Sequence, residues 1–241
     1  MFISKLNSSK ILGGLLVLLF FIILALSLGI TLSEILNSRL SIDLLMKDLM
    51  ISFLRVTIIS IIAWVSGVLG GYLLYYSAIL NNLFIPIINF IRHISPFVWL
   101  PFAIIWFGLG ESPVIFIMFI TLFFPTLIAS SGHFSNLPHE YLDEGHVLGA
   151  SHLQMFIHIE LPLTLPSLMH LFRLIWGLGW TVIIAAEMLG VNNGMGFRLM
   201  DFRYLLKYPE MFIYFITMGF AGIIVDSLLN ILINRSNKKF N

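Results

Sequence analysis

The sequence predicts an all-α polytopic membrane protein with about six transmembrane helices, and three observations carry that prediction. Of its 241 residues, 59% are hydrophobic and 10% charged, whereas an ordinary soluble domain carries about 25% charged residues. The mean hydropathy is +1.00. The apolar residues gather in runs that reach the ~20 residues a helix needs to cross a bilayer. Charged residues fall mostly between those runs, away from the bilayer centre, where an ionised group costs about 2.5 kcal/mol or more. A net charge of +1, with no basic cluster beyond the C-terminal tail, argues against a nucleic-acid partner. The absence of cysteine excludes thiol chemistry, disulfides and cysteine-type zinc sites.

Taken in order, Lys5 and Lys10 precede the apolar run Ile11–Ile30, the expected first span, and place the N-terminus in the cytoplasm by the positive-inside tendency. Ala25-Leu26-Ser27 resembles a small-residue cleavage site, but the run exceeds the 7–15 residues of a signal-peptide core, so a membrane helix is expected. Residues 31–50 mix Glu34, Arg39, Asp43, Lys47 and Asp48 with leucines, which predicts an external amphipathic piece at the interface. The second span runs from about Ile51 to Leu80. Its Arg55 is placed to snorkel to the headgroups, and Gly67, Gly70 and Gly71 permit close helix packing.

Pro86, Pro96 and Pro101 fall within one prospective span, Pro86–Gly110, which should therefore be kinked or broken and line a cavity. Ser112–Ser131 forms the fourth span, with Pro125 inside it. Leu168–Gly190 is the fifth and carries Arg173, Trp176, Gly177, Gly179, Trp180 and Glu187; about Met211–Ile233 is the sixth. Residues 191–208, expected outside, contain Arg198, Arg203 and Lys207 against one Asp201 and so oppose the charge rule. Orientation rests instead on the termini, Lys5 and Lys10 at one end and Arg235, Lys238 and Lys239 at the other, both expected in the cytoplasm.

The longest polar interval, from Pro138 to Pro166, reads PHEYLDEGHVLGASHLQMFIHIELPLTLP. Its His139, Glu140, Asp143, Glu144, His146, His152, Gln154, His158 and Glu160 are too dense for hydrocarbon. They are expected in water or against a partner. Leu142, Leu148, Leu153, Phe156 and Ile157 recur at helical spacing, so two short amphipathic helices hinged near Gly149 are predicted, with no room at the hinge for a large ring. Pro162 and Pro166 should stop the helix before the next span.

The spacing of Asp143-Glu144-Gly145, Gly149, Ile159 and Leu161-Pro162 resembles the "EAA" signature of membrane subunits of binding-protein-dependent ABC transporters. In that family the segment is the coupling helix that docks on the ATPase. Here the opening triad departs, with a carboxylate and a glycine where the family has alanines. Ile94-Ser95-Pro96, Leu100-Pro101 and Trp106-Phe107-Gly108-Leu109-Gly110 are similar to the nitrate, sulfonate and taurine branch of these permeases, as are Ala186-Glu187-Met188 and Asn193-Gly194-Met195-Gly196. The resemblance covers about residues 45–230 and implies one transmembrane permease domain over 1–241 with the ABC importer permease fold and alternating access. It implies a dimer of permeases in the bilayer of the cell membrane, two ATPase subunits and an extracytoplasmic substrate-binding protein that selects the solute. Small sulfonates, nitrate, taurine and pyrimidine vitamin precursors are compatible.

No Gly-Lys pair exists with which to build a phosphate-binding loop. ATP and magnesium are therefore expected on the partner ATPase, and no cofactor or catalytic residue in this chain. His133, His139, His146, His152 and His158 are spaced six or seven apart; a seven-residue step spans about 10 Å on a helix, against zinc–nitrogen bonds of about 2.1 Å, so no metal site is expected. Gly177, Trp180 and Thr181 follow helical three-and-four spacing, and that face either lines the pathway or forms the dimer interface. Glu187 is expected at the external end, paired with Arg198 or Arg203. The alternative to an importer subunit is an ion-coupled secondary transporter or channel, which normally buries an ionisable residue in mid-membrane and often shows inverted repeats. The first, third and fourth spans have none deep inside, no repeat is visible, and Arg173, Glu187 and Asp226 fall near expected span ends. A scaffold role would leave both motifs unexplained.

Overall fold

The structure, a computed structural model, describes residues 13, 14, 16, 19–27, 29–38 and 40–237, and the regular structure among them is entirely helical. Residues 19–27 are helical (α1). The rest of the expected first span lies partly outside the described residues, as do Lys5, Lys10, Lys238 and Lys239, on which the expected orientation rests.

A short helix, α2 (Leu32–Leu36), is set by a capping box in which Thr31 and Glu34 exchange side-chain and backbone hydrogen bonds. The Thr31 backbone N–H, 2.9 Å from the Glu34 carboxylate, holds that carboxyl below its usual range. The next helix, α3 (Ile42–Tyr76), starts at the Ser41 cap and runs for 35 residues, about 50 Å. Residues 42–50 are thus the first turns of a long helix and not a separate interfacial piece. Of the charges that suggested an interface, Asp48 is only 2% exposed and finds its partners inside the protein.

Among the described residues, four helices are long and apolar enough to cross a membrane: Ile42–Tyr76, Glu111–Ser135, His152–Met188 and Tyr208–Ser236. A fifth apolar segment is a bent pair of helices. It consists of α4 (Ala78–Arg92), a 3₁₀ turn (Pro96–Trp99) and α5 (Leu100–Phe107), with a 90° bend at the break. Proline explains the place of the bend. Ser95, just before Pro96, is held at ψ 136°, because a proline ring excludes the α conformation from the residue ahead of it. Pro101 sits in the first turn of α5, where its missing N–H costs nothing.

α6 (Glu111–Ser135) then packs along α3. The glycines at 67, 70 and 71 face Thr126, Leu127 and Ser130, and Ser130 donates its hydroxyl 3.1 Å to the Gly67 carbonyl. Between lipid-soluble helices burial against water supplies little drive, so close approach at small residues supplies dispersion contact instead. α7 (His139–Val147) and α8 (His152–Met155) follow, and a π-turn (Phe156–Glu160) leads into α9 (Leu161–Gly190). The prolines at 162 and 166 do not stop the helix. Pro162 occupies the first turn of α9, just past a five-residue turn in which the Leu161 N–H bonds to the Phe156 carbonyl. α9 is central: it packs on α3, α6, α10 (Met195–Tyr204) and α11 (Tyr208–Asn237). The core between α3, α6 and α9 includes Val56, Ile59, Met118, Leu122, Trp176 and Ile183.

Candidate functional site

At one end of the bundle the α7–α8 segment forms the predicted pair of short helices. α8 begins with a capping box between Ser151 and Gln154, and the turn before it closes with Gly149 N–H to His146 O at 3.0 Å and Ala150 N–H to Gly145 O at 3.1 Å. Gly149 has φ +73°, a left-handed conformation that disfavours residues with a Cβ. The space around it is open, so the glycine is required by backbone conformation and not by lack of room. Crowding falls on Gly145. A Cβ there would meet Met155 Sδ and lie 2.6 Å from Ile159 Cδ1.

The recognised spacing therefore has a physical content. Gly145 is buried and lets Ile159 close the hairpin, while Asp143 and Glu144 face outward. Beside them Val147 and Leu148 are 87% and 85% exposed. Leu161 and Pro162 are half-buried where α9 begins. Glu160, grouped by sequence with the solvated or partner-facing residues, is instead only 7% exposed, because its turn is pressed against the end of α3.

The three residues read as one face, Gly177, Trp180 and Thr181, do not share one. Gly177 and Thr181 lie on an open side of α9 with Leu174 and Leu178. Trp180 turns inward, stacks on Trp176 at 5.5 Å and donates its Nε1–H to the Met218 carbonyl at 3.2 Å. Glu187 is fully buried. The open side adjoins a cavity of about 330 Å³ at the bend of the α4–α5 pair, lined by Arg92, Pro96, Thr121, Pro125, Leu178 and Val182 among others.

At the opposite end of the bundle sequence reasoning missed a buried charge network. Arg55 Nη1 donates to Glu187, its Nε and Nη2 reach the Glu111 carboxylate at 2.9 and 2.6 Å, and Nη2 also reaches Asn193 Oδ1 at 2.8 Å. Ser52 Oγ lies 2.8 Å from both Glu187 oxygens, and the Gly196 N–H donates to Glu187 Oε2 at 2.9 Å. Asp48 accepts from Arg198 at 3.0 Å and from the Tyr214 hydroxyl at 2.9 Å. Arg55 therefore does not snorkel, and Glu187 pairs with it and not with Arg198 or Arg203. Asp48, Ser52 and Arg55 stand at i, i+4 and i+7 on one face of α3, a polar stripe on an apolar helix that was legible as a signal. Burial works against the Arg198 charge, yet the carboxylates of Asp48 and Asp201 outweigh it and hold its pKa above the usual arginine value. That pairing offsets part of the positive charge of the 191–208 segment. Arg173 and Asp226, expected near span ends, lie well inside α9 and α11 as a two-pronged pair at 2.6 Å, with Asn230 at 2.8 Å.

Residues 59–241 match the family described as binding-protein-dependent transport system inner membrane component. A protein named as an ABC transporter permease in Methanocaldococcus jannaschii is 34% identical over 179 residues, 70% of this chain and 67% of its own. The nitrate import permease protein NrtB of Leptolyngbya laminosa is 29% identical over 184 residues, 76% of this chain and 66% of its own. The bicarbonate transport system permease protein CmpB of Synechococcus elongatus is 31% identical over 167 residues, 68% of this chain and 60% of its own. The chain thus spans about two thirds or less of the length of these relatives. A solved structure of the inward-facing MetNI methionine ABC transporter superposes with a TM-score of 0.67 at 17% identity, covering 79% of this chain and 93% of that one, which establishes the fold.

Proposed function

Because the chain belongs to the binding-protein-dependent transport system inner membrane components, the permeases of ABC importers, we propose that it forms the pathway for a small oxyanion-like solute and takes its work from a separate ATPase through the α7–α8 segment. The nitrate and bicarbonate permeases among its relatives support the solute class. Sulfonates, taurine and vitamin precursors are the competing solutes. Two permeases, two ATPases that hold ATP and magnesium, and an extracytoplasmic binding protein make up the assembly. In this reading the α7–α8 end and both termini lie in the cytoplasm, with the Arg55 network at the outer end.

One observation carries the coupling reading. Val147 and Leu148 project from the tip of α7 beside two carboxylates, outside the candidate spans. Such a knob, apolar with an acidic rim, fits an apolar groove edged by basic groups on a partner. Val147→Asp with Leu148→Asp is expected to abolish co-purification with the ATPase while leaving insertion and folding unchanged, since both side chains are almost wholly exposed. Wild-type capture by this variant would overturn the reading. Glu144→Ala, outward and at the rim, should be mild.

The pathway is tested separately. The chain has no native cysteine, so single cysteines at 177, 181 and 184 can be followed with external thiol reagents. Their reactivity is expected to differ between resting and ATP-bound states, whereas Trp180→Cys stays protected in both. Uniform protection at all positions would assign the α9 face to helix packing.

A further inference from the structure

Glu160 is buried at the junction between the α7–α8 segment and α9. It closes the π-turn, and the residue before it, Ile159, covers Gly145 of the coupling hairpin. Its side chain points the other way, toward the last turns of α3. There its Oε2 is buried and makes no hydrogen bond, although the phenols of Tyr72 and Tyr75 stand close enough to interact with the carboxylate. The same stretch of α3 grips the segment at two more points. Tyr72 packs on Phe156 with ring centroids 4.3 Å apart, and Tyr76 meets the His152 ring edge-on at 5.3 Å.

A buried carboxylate oxygen without a donor is costly, more so than a neutral group in the same position. Single π-turns inside α-helices are also uncommon and concentrate at functional positions. Here both fall on one residue, between the segment that meets the ATPase and the helix that crosses the membrane. Tightening the π-turn to α geometry removes one residue from the turn and rotates everything ahead of it relative to α9 by about 100°. Two arrangements of the junction are therefore available from one short segment.

We propose that Glu160 is a positioning residue for coupling: with Tyr72 and Tyr75 it pins the junction to α3, and the hydrogen bond from a tyrosine hydroxyl to Oε2 that is unmade here forms when the ATPase drives the segment inward. Movement of the coupling hairpin then reaches the membrane by two routes, along α9 through the backbone and across to α3 through this pin. This rests on the coupling role of α7–α8.

The test uses the full chain assembled with its ATPase and binding protein in proteoliposomes, reading ATP hydrolysed, solute transported and ATPase captured. Tyr72→Phe with Tyr75→Phe keeps both rings and removes only the hydroxyls. This variant and Glu160→Ala are expected to capture the ATPase and hydrolyse ATP normally while solute moved per ATP falls about tenfold, the size of a modest coupling between two sites. Glu160→Gln, which keeps the shape and an acceptor oxygen, should stay within about twofold of wild type on the same scale. Wild-type stoichiometry in the double phenylalanine variant overturns the proposal, even where Glu160→Ala fails to fold. Failure of the underlying coupling reading shows separately, as normal ATPase capture by the Val147→Asp, Leu148→Asp variant.

Discussion

Arg55→Ala is expected to cost about 3–5 kcal/mol, the usual penalty for stripping one partner from a buried ion pair, and to leave little folded protein in detergent. The reason lies in what remains. Glu187 is completely buried, and without the guanidinium it keeps only Ser52 and the Gly196 N–H as donors, while Glu111 loses the group that ties the start of α6 to α3. Glu187→Ala should cost less, since Arg55, whose side chain is only 7% exposed, keeps the Glu111 carboxylate and Asn193 as partners. The discriminating variant is Arg55→Met with Glu187→Met, which removes both charges and fills their space. It should recover much of the loss, because replacing a buried pair by apolar residues of similar volume is often close to neutral. Thermal unfolding of the wild type, Arg55→Met, Glu187→Met and their combination forms a double-mutant cycle. If the two single losses simply add in the double variant, the pair is not an energetic unit. Asp201→Ala, which removes a half-buried second partner of Arg198 and leaves Asp48 in place, is expected to change stability by less than about 1 kcal/mol.

Gly71→Leu is expected to be as damaging, for a steric reason. A Cβ at position 71 would lie 2.6 Å from the Leu127 carbonyl oxygen and 2.9 Å from the Ser131 backbone nitrogen, besides meeting Ser130 Oγ. Two of these three neighbours are backbone of a helix that cannot yield locally, so α6 must move away from α3 as a body. Alanine already overpacks the site, at about 1–3 kcal/mol. Leucine should separate the helices and expose the protein to aggregation on size-exclusion chromatography. Gly132→Ala is the control, because a Cβ there meets nothing within 4 Å and alanine favours a helix. A monodisperse Gly71→Leu protein with a wild-type melting midpoint would show that the α3–α6 contact is not the close approach described.

How much of the site was readable depends on how local each property is. The bend of the α4–α5 pair was legible because proline acts on its own and the preceding residue, and Pro96 stands at the break. The hinge at Gly149 was legible for the same reason, although its cause is a left-handed backbone and not crowding. The prolines at 162 and 166 misled because a proline in a first turn, or beyond a π-turn, need not end a helix, and no residue type announces a π-turn. Trp180 was misassigned because three-and-four spacing defines a stripe wide enough to include both the edge that faces the core and the edge that faces out.

What the sequence determined by itself is therefore the class of molecule: apolar runs that must satisfy their backbone as helices in a bilayer, a charged segment that must stay out of it, and a spacing of glycine, isoleucine, leucine and proline that marks the family. Hydropathy and backbone restriction are written residue by residue, so they survive without coordinates. Which charge meets which was decided only in three dimensions. Arg55 and Glu187 are 132 residues apart, and nothing local distinguishes Arg55 from Arg198 or Arg203 as a partner for Glu187. The choice follows from α3 beginning at Ile42 and lying against α9 and α10, which puts Ser52 and Arg55 beside the buried carboxylate and leaves Arg198 to Asp48. Glu160 belongs with them: a carboxylate in a polar stretch reads as solvated until the end of α3 is laid over it.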